Sequence, residues 1–479
     1  MVDSLSFAAD FPSADADAWR LLVAKTLREV PFESLTRTTP EGLAIAPLYT
    51  PSRSASLAMA VQPRPFDAER PWDIRTVVSH PDPAGANAQI LRDLEGGANS
   101  VVLRLDSAGL AGVVAGSASG LAKALAGVIV ELAPVGLDAG FLGPRAADWL
   151  GTHAKASPGA KLLFHLDPLS AFAETGASPG PIEGHMVLAA TVASRLAATY
   201  PQASLFLASG RVVHEAGGGE AGELAFAVAA AVAYAKALVR AGLPMSEAFG
   251  RITLGLSADG DYFPTIAKLR AVRALWARVV SSCGLDAPCR VEARSSQRML
   301  TAKDSWTNMV RLTVAGFGAA VGGADAVILG TFTDALGAPT AFARRQSRNT
   351  QLVLMEEAHI GRVADPAAGS AYVEALTDQL ARTAWTAFQA IEAQGGLAAA
   401  LARGHVAAEV EKVRTARLDA GAPKIVGVTV FPPTDQAPAE VEPLKPVAVD
   451  APSARVPGPD GACPSLRPLR LAAPHEALS

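Results

Sequence analysis

Residues 209–220 read SGRVVHEAGGGE, so Arg211, His214 and Glu215 follow the end of an apolar run and precede three glycines. A histidine beside a carboxylate can move protons near neutral pH, and an arginine offers a planar fork to a carboxylate or phosphate. Gly217, Gly218 and Gly219 raise the question of a phosphate cradle, but their spacing is not that of a Walker loop and no lysine follows. Nucleotide binding is not expected there. A second arginine with hydroxyls, Arg294 beside Ser295 and Ser296, ends the run CRVEARSS at 289–296. Ser79, His80, Asp106, Asp167 and the spans 257–261 and 331–334 stand in the same position after other apolar runs.

Several of these have plainer readings. His80 precedes a proline and reads as a turn residue, and His165, inside LLFHLD, reads as a hydrogen-bonded core histidine. Glu357 and His359 in MEEAHIGR lack a second histidine within a helical turn, so no metal site is expected from them. Neither a nucleophile elbow nor a Cys/His pair is apparent.

The elements that must position these groups recur between residues 70 and 335. Short runs rich in Val, Ile and Leu occupy 73–79, 100–105, 127–132, 161–167, 203–210, 252–259, 289–296 and 326–332, each followed by a longer Ala/Leu-rich segment. Near-continuous apolar runs mark strands buried on both faces, and the intervening segments are long enough for helical crossovers. Eight such units are what a closed (β/α)₈ TIM barrel requires. An open doubly wound sheet would carry a glycine fingerprint after its first strand, whereas the turn here is HPDPAG. In a barrel the reacting groups sit at the carboxyl ends of the strands, where these candidates fall. The helical segment at 85–98 places Ile90, Leu91 and Leu94 on one face with Arg92, Asp93 and Glu95 elsewhere; in DYFPTIAKLRAVRALWARVV the stripe is Ile266, Leu269, Val272, Leu275 and Trp276, with Lys and Arg mostly off it. Helical patterning resumes after the eighth run, and from about residue 430 the chain turns proline-rich.

Composition excludes other classes. The net charge of −4 leaves no basic face for nucleic acid. Cys283, Cys289 and Cys463 are too few for a disulfide framework and fit a reducing compartment. The first residues lack a basic region followed by an apolar core, and LAFAVAAAVAYAKALV, interrupted by Lys236, falls short of the about 20 apolar residues that span a bilayer. A soluble cytoplasmic protein with no membrane or nucleic-acid partner is expected.

Longer motifs sharpen this reading. EGLAIAPLYT (41–50), YFPTIAKLRAVRALWARV (262–279), LTAKDSWTNMVRLTVAGFGAAVGGADAV (300–327) and RQSRNTQLVLMEEAHIGRVADPAAGSAYVEALT (345–377) closely resemble the barrel portion of methylmalonyl-CoA mutases, and the likeness covers roughly residues 15–430. That resemblance implies an N-terminal arm over 1–69 that contacts a partner, an acyl-CoA mutase-type TIM barrel with a helical extension over 70–430, and a proline-rich tail over 431–479 without a cobalamin-binding domain. Catalytic members isomerise methylmalonyl-CoA and succinyl-CoA by radical chemistry with adenosylcobalamin.

Departures from the family's pattern fall at its reacting residues. Catalytic members carry S-G-Y-H-M-Q-E-A-G-A after the fifth strand, with the Tyr-His pair on the thioester carbonyl. Arg211 and Val212 stand at those positions here, and His214 comes two residues later. Read as strand, that offset keeps the face but moves a side chain by about 7 Å, when about 1 Å of misplacement can cost about 100-fold in rate. The family's tyrosine after the first strand is also missing, since TVVSHPDP follows Arg75. Arg294 and Ser296 match an R-x-S that contacts CoA in catalytic members. GVIVELAPVGLDAG (127–140), HLDPLSAFAETG (165–176) and VVHEAGGGEAGELAFAVAAAVAYAKAL (212–238) resemble the small subunit of heterodimeric mutases. The resemblance therefore implies a small subunit with no catalytic residues of its own, adenosylcobalamin held mainly by a catalytic large subunit, and Arg294 and Ser296 as remnants of an acyl-CoA site. An active acyl-CoA mutase barrel working with a separate cobalamin-binding protein is the alternative, with Arg211 and His214 in place of the usual pair.

Overall fold

The computed structural model describes residues 15–50, 69–106, 112–435, 437, 439–445, 447 and 458–476. Eight parallel strands close into a barrel: β1 (Asp73–Val78), β2 (Ser100–Arg104), β3 (Val135–Asp138), β4 (Leu163–Leu166), β5 (Ser204–Ser209), β6 (Ile252–Ala258), β7 (Arg290–Ser295) and β8 (Ala326–Ile328). Each strand pairs with its sequence neighbours, and β8 pairs with β1 through Ala326↔Asp73, Val327↔Ile74 and Ile328↔Arg75. The expected (β/α)₈ architecture is present, with a helix on the outside after every strand.

Helix starts follow from local chemistry. Asp82 and Asp167 each precede a proline at the first helical position, and their carboxylates accept from Gly85 N at 2.8 Å and Ser170 N at 3.2 Å. Such caps satisfy amides that the first turn leaves without partners.

The third strand is not the run expected at 127–132. Gly127 has φ 77°, and Ile129 and Leu132 are exposed, so GVIVEL is a turn-rich connection on the surface. The strand lies just beyond it, where VGLD pairs with β2 through Val101↔Val135 and Leu103↔Leu137. It joins β4 at a single pair, Gly136↔Leu163. This shift places Asp138 at the barrel mouth.

Two helices depart from the expected polarity. Asp93 is buried, and its carboxylate pairs with Arg344 and, at 2.6 Å, with Arg348 of the Ala341–Leu352 helix. The Tyr262–Ser282 helix buries Lys268, Arg270 and Arg273 as well as its apolar stripe. Each has its own partners: the Ala371–Ala393 helix packs over the outer face, where Arg270 meets Glu374 at 2.8 Å and, from the loop before it, Asp365 at 3.0 Å; Lys268 faces Glu220 and Glu223, and Arg273 meets Asp325 at 3.0 Å. Trp276 is core, as expected. The apolar Glu220–Arg240 helix is long and apolar enough to cross a membrane, but it is mostly buried, packed against β5, β6 and the Ala371–Ala393 helix.

Segments far apart in sequence converge on the three glycines. Side chains added at Gly217 would meet Arg414 and Leu469, and one at Gly218 would meet Val213 and Val410. At Gly219 a Cβ would overlap the carboxylate of Glu41, which accepts from Ala221 N at 2.9 Å. Burial, with Glu220 nearby, raises the Glu41 carboxyl to about 7. The glycines are thus a packing junction for the N-terminal segment, the His405–Asp419 helix and the tail. The tail itself runs along the strand ends: Cys463 N donates to Gly176 O, Leu466 N to Ala173 O, Leu469 N to Glu215 O and Leu471 N to Arg298 O.

Candidate functional site at the barrel mouth

Groups from six strands or their ends meet at the carboxyl end of the barrel. Deepest is a chain of ions across the lumen: Arg75 of β1 donates to Glu292 of β7 at 2.5 Å, to Asp73 at 2.6 Å and to Ser100 of β2 at 2.8 Å. Burial works against the Glu292 carboxylate, yet Arg75 and His165 hold it below its usual range. The next layer outward holds Arg104, Asp138, Arg211 and Arg294 around a cavity of about 170 Å³, with Arg294 3.4 Å from Asp138. Burial opposes ionisation of Asp138, but Arg294, Arg104 and Arg211 keep its carboxyl below the usual range. A wider cavity of about 450 Å³ adjoins it and shares Arg104, Arg294 and Gln297; Asp93, Asp334 and Glu442 also line it.

The sequence candidates separate here. Arg211 lines the inner cavity, while His214 does not line either cavity and has no exposed surface. The reason is that Arg211–Glu215 forms a helical turn directly after β5, where the expectation was continued strand. At 3.6 residues per turn, a two-residue offset reverses the direction of a side chain. That offset takes His214 away from the direction of position 212 and in among Glu220, Glu223 and Asp259, whereas Arg211 lines the inner cavity, so the two do not form a pair across the mouth. Ser296 is also fully buried, its hydroxyl accepting from Arg298 N at 3.1 Å, and it lines neither cavity; Ser295 faces the wider one and accepts from Gly330 N at 2.7 Å. Asp167 accepts from the Tyr234 hydroxyl at 2.5 Å, and burial raises its carboxyl to about 7. His80 is a turn residue, accepting from Asp82 N at 3.2 Å. His165 departs from the expectation of a hydrogen-bonded core residue. It lines the inner cavity, and its Nε2 is buried without a hydrogen-bond partner. Exposed Glu357 and His359 come together with no other metal-ligating side chain among the described residues.

His214 belongs instead to a buried ion cluster behind the mouth. Its Nε2 lies 3.1 Å from Asp259, and its Nδ1 lies 3.3 Å from Glu223 and 3.4 Å from Glu220 at ion-pair distance without hydrogen-bond alignment. Lys268 donates to Glu220 and, at 2.6 Å, to Glu223; Arg298 reaches Asp259 at 2.7 Å. His214, Glu220 and Glu223 are close enough to hold a metal ion, but the Lys268 ammonium already sits against both carboxylates. Three cations then face three anions, provided His214 is protonated. Burial and Arg298 work against that charge, but Glu220 and Glu223 raise the imidazole to about 10.

A pH dependence follows. A histidine whose value rises from 6.5 unfolded to about 10 folded contributes its full stability below pH 6.5 and loses it as pH rises toward 10. The urea midpoint of the chain is therefore expected to fall between pH 6.5 and 9.5, and His214→Gln, already lacking the charge, to show a flatter profile. A parent midpoint that holds level over this range would mean that His214 is neutral.

Sequence reading missed Asp138, Arg104 and the lumen pair Arg75–Glu292. Charged residues inside otherwise apolar runs were their signal, since a charge within a doubly buried strand must have a partner in the lumen.

A (β/α)₈ barrel whose polar side chains gather at the carboxyl ends of its strands is a member of the class that places its functional site at that mouth. The chain belongs to the methylmalonyl-CoA mutase family, whose model matches residues 160–455. It is 39% identical over 466 residues to the methylmalonyl-CoA mutase small subunit of Streptomyces virginiae, covering 92% of this chain and 74% of that protein. Identity is 34% over 460 residues to the methylmalonyl-CoA mutase small subunit of Propionibacterium freudenreichii subsp. shermanii, covering 90% and 70%. With the methylmalonyl-CoA mutase of Cereibacter sphaeroides it is 30% over 481 residues, covering 92% and 68%, so part of each relative lies outside the match.

Enzymes of this family generally depend on adenosylcobalamin, but the mouth residues do not fit that group. A corrin needs a broad open face, whereas Leu469 and Leu471 bond across the loops after β5 and β7. The largest cavity at this end is ionic and includes no histidine among its lining residues.

Proposed function

We propose that this chain is the non-catalytic small subunit of a methylmalonyl-CoA mutase heterodimer, stabilising a catalytic large subunit that binds the adenosylcobalamin. One observation carries the reading: the mouth is crossed by ion pairs, and Arg211 and Val212 stand where catalytic members put the pair that reaches the thioester. Val212 is buried, and Arg211 is packed beside Arg294 and Glu215. Among the described residues no tyrosine lines either mouth cavity, and the one histidine that does, His165, is 1% exposed at its side chain. The name "small subunit" carried by two of the relatives supports a large partner. Further support comes from the Ala16–Leu27 helix, which has no buried residue and exposes Leu21 and Leu22, as an arm awaiting another chain would. On this reading the protein works in the cytoplasm, and Arg294 and Ser296 are remnants of a CoA site.

Co-expression with a large subunit tests the proposal. The two chains are expected to copurify in a fixed ratio, and the large subunit to melt at higher temperature in the complex, as mass action requires of a partner that binds only the folded state. Mutase turnover by this chain with a separate cobalamin-binding protein, adenosylcobalamin and no large subunit would overturn it.

A further inference from the structure

A cavity of about 250 Å³ lies among the N-terminal segment, the start of the Glu220–Arg240 helix, the Ala371–Ala393 helix and the His405–Asp419 helix, and it shares no lining residue with either mouth cavity. Most of its wall is apolar, from Val213, Ala387, Ile391, Val406 and Val410, and Gly218, Gly219 and Gly222 add no side chains to it. An apolar cavity with few polar groups is the usual form of a small-molecule site. Its titratable side chains are Glu41, His405, Glu409 and Lys412. Glu409 and Lys412 meet each other at 2.5 Å on an exposed rim, so the cavity is reachable from solvent and this pair adds no net charge. His405 is half-buried at the start of its helix.

Glu41 is held in place without being neutralised. It stands in a tight turn that Thr39 closes: Gly42 N donates to Thr39 O at 2.8 Å, Thr39 N to Leu43 O at 2.9 Å and Leu43 N to Thr39 Oγ1 at 3.0 Å, with Gly42 at φ 86°. Leu43 is buried and anchors the turn, and the Glu41 carboxylate lies over Gly219, accepting from Ala221 N at 2.9 Å. Among the described residues no cation, His405 included, stands at ion-pair distance from it. Lys268 is committed to Glu220 and Glu223, and Arg417 of the His405–Asp419 helix is drawn to Glu220 and Asp259 more than to Glu41. Buried carboxylates are nearly always paired. Here burial and the charge of Glu220 outweigh the two backbone amides and Lys268 that favour ionisation, which is why the carboxyl is pushed up to about 7. A mostly buried carboxylate without a counter-ion, at one end of an apolar cavity, lacks a cation.

We propose that this cavity binds a small primary amine with an apolar body, its ammonium on the Glu41 carboxylate and its body against Val213, Ile391, Val406 and Val410. An ammonium carries donors and no acceptor, which suits a carboxylate that can only accept. An anion would face Glu41 directly, and a neutral molecule would leave it uncompensated. Size sets the body: a cavity of about 150 Å³ accepts benzene, so the space of about 250 Å³ takes roughly nine or ten non-hydrogen atoms. The site goes beyond the partner role and is read by binding to this chain alone, so either reading can fail while the other stands.

Calorimetric titration of the full chain with phenethylamine tests it, at pH 8 so that Glu41 is ionised, with phenethyl alcohol and hydrocinnamate as neutral and anionic arms of similar shape. Phenethylamine is expected to bind, with the alcohol at least about tenfold weaker because its hydrogen bond lacks the charge, and hydrocinnamate not to bind. Glu41→Gln keeps an acceptor for Ala221 N without the charge and is expected to weaken the amine about tenfold or more while retaining the parent near-ultraviolet dichroism. Ala387→Leu, which fills the cavity from the Ala371–Ala393 helix, is expected to weaken it by a similar factor. Arg195→Gln, at an exposed pair with Asp148, leaves binding unchanged. The proposal is overturned by an absence of phenethylamine binding up to about 20 mM, by equal affinity for the alcohol, or by binding of hydrocinnamate alone. Undiminished amine binding in either folded variant, Glu41→Gln or Ala387→Leu, also overturns it, so the test survives if one variant does not fold.

Discussion

Lys268→Met is expected to destabilise the isolated chain by about 3–5 kcal/mol, the cost of leaving a buried charge without its partner. Lys268 is completely buried, and its ammonium is the contact shared by Glu220 and Glu223. Without it, His214 and Arg298 face three carboxylates, and Glu223, with no exposed surface, cannot recover water in exchange. Glu223 also accepts from Ser257 N at 2.5 Å, tying β6 to the start of the Glu220–Arg240 helix, so the loss reaches the barrel wall. The measurement is the urea midpoint of each variant, with Glu223→Gln and the double variant completing a cycle. The double variant should lose clearly less than the sum of the singles, because the two groups act as a pair. Additive losses would mean that lysine and glutamate stabilise the fold separately.

Asp93→Ala should produce a loss of similar size, about 3–5 kcal/mol, from a different part of the molecule. Its carboxylate is 1% exposed and holds both Arg344 and Arg348, clamping the first barrel helix to the last where the ring closes. Substitution leaves two buried guanidiniums facing each other. Arg348 keeps one bond, to Gly96 O at 3.3 Å, and Arg344 one to Val77 O at 3.2 Å, which do not replace a carboxylate. Asp93→Asn keeps the shape without the charge and should lose nearly as much; a variant that unfolds at the parent's urea midpoint would show that the clamp is not needed for closure.

Neither of these groups could be assigned from sequence, although the fold could. Seven of the eight strands fall within the apolar runs, because a strand buried on both faces must be apolar nearly throughout. The third did not, since VGLD is short and the more apolar GVIVEL beside it is a surface connection. Periodicity finds the most hydrophobic stretch, whereas a strand is chosen by the neighbour it can pair with, and Val135 meets Val101. The mouth was located correctly, because the ends of the strands define it, and Arg211 and Arg294 both line it. His214 was misplaced because one turn of helix replaces strand after Ser209, a local choice that the residues SGRVVHE do not dictate. Its partners come from the Glu220–Arg240 helix and the loop after β6, beyond the reach of any local pattern. Asp93 looked solvent-facing on its own helix; only the placement of the last helix gives it two arginines.

The bonds from Leu469 to Glu215 and from Leu471 to Arg298 also bear on how the molecule is made. Residues near the end of the described chain complete loops that follow the fifth and seventh strands, so these contacts join parts of the chain far apart in sequence. Loops of that span close late, and a ribosome delivers residue 471 only after every strand has emerged. During synthesis the barrel passes through a stage in which its ring of strands is formed but its mouth is uncovered, with Glu215 O and Arg298 O open to water.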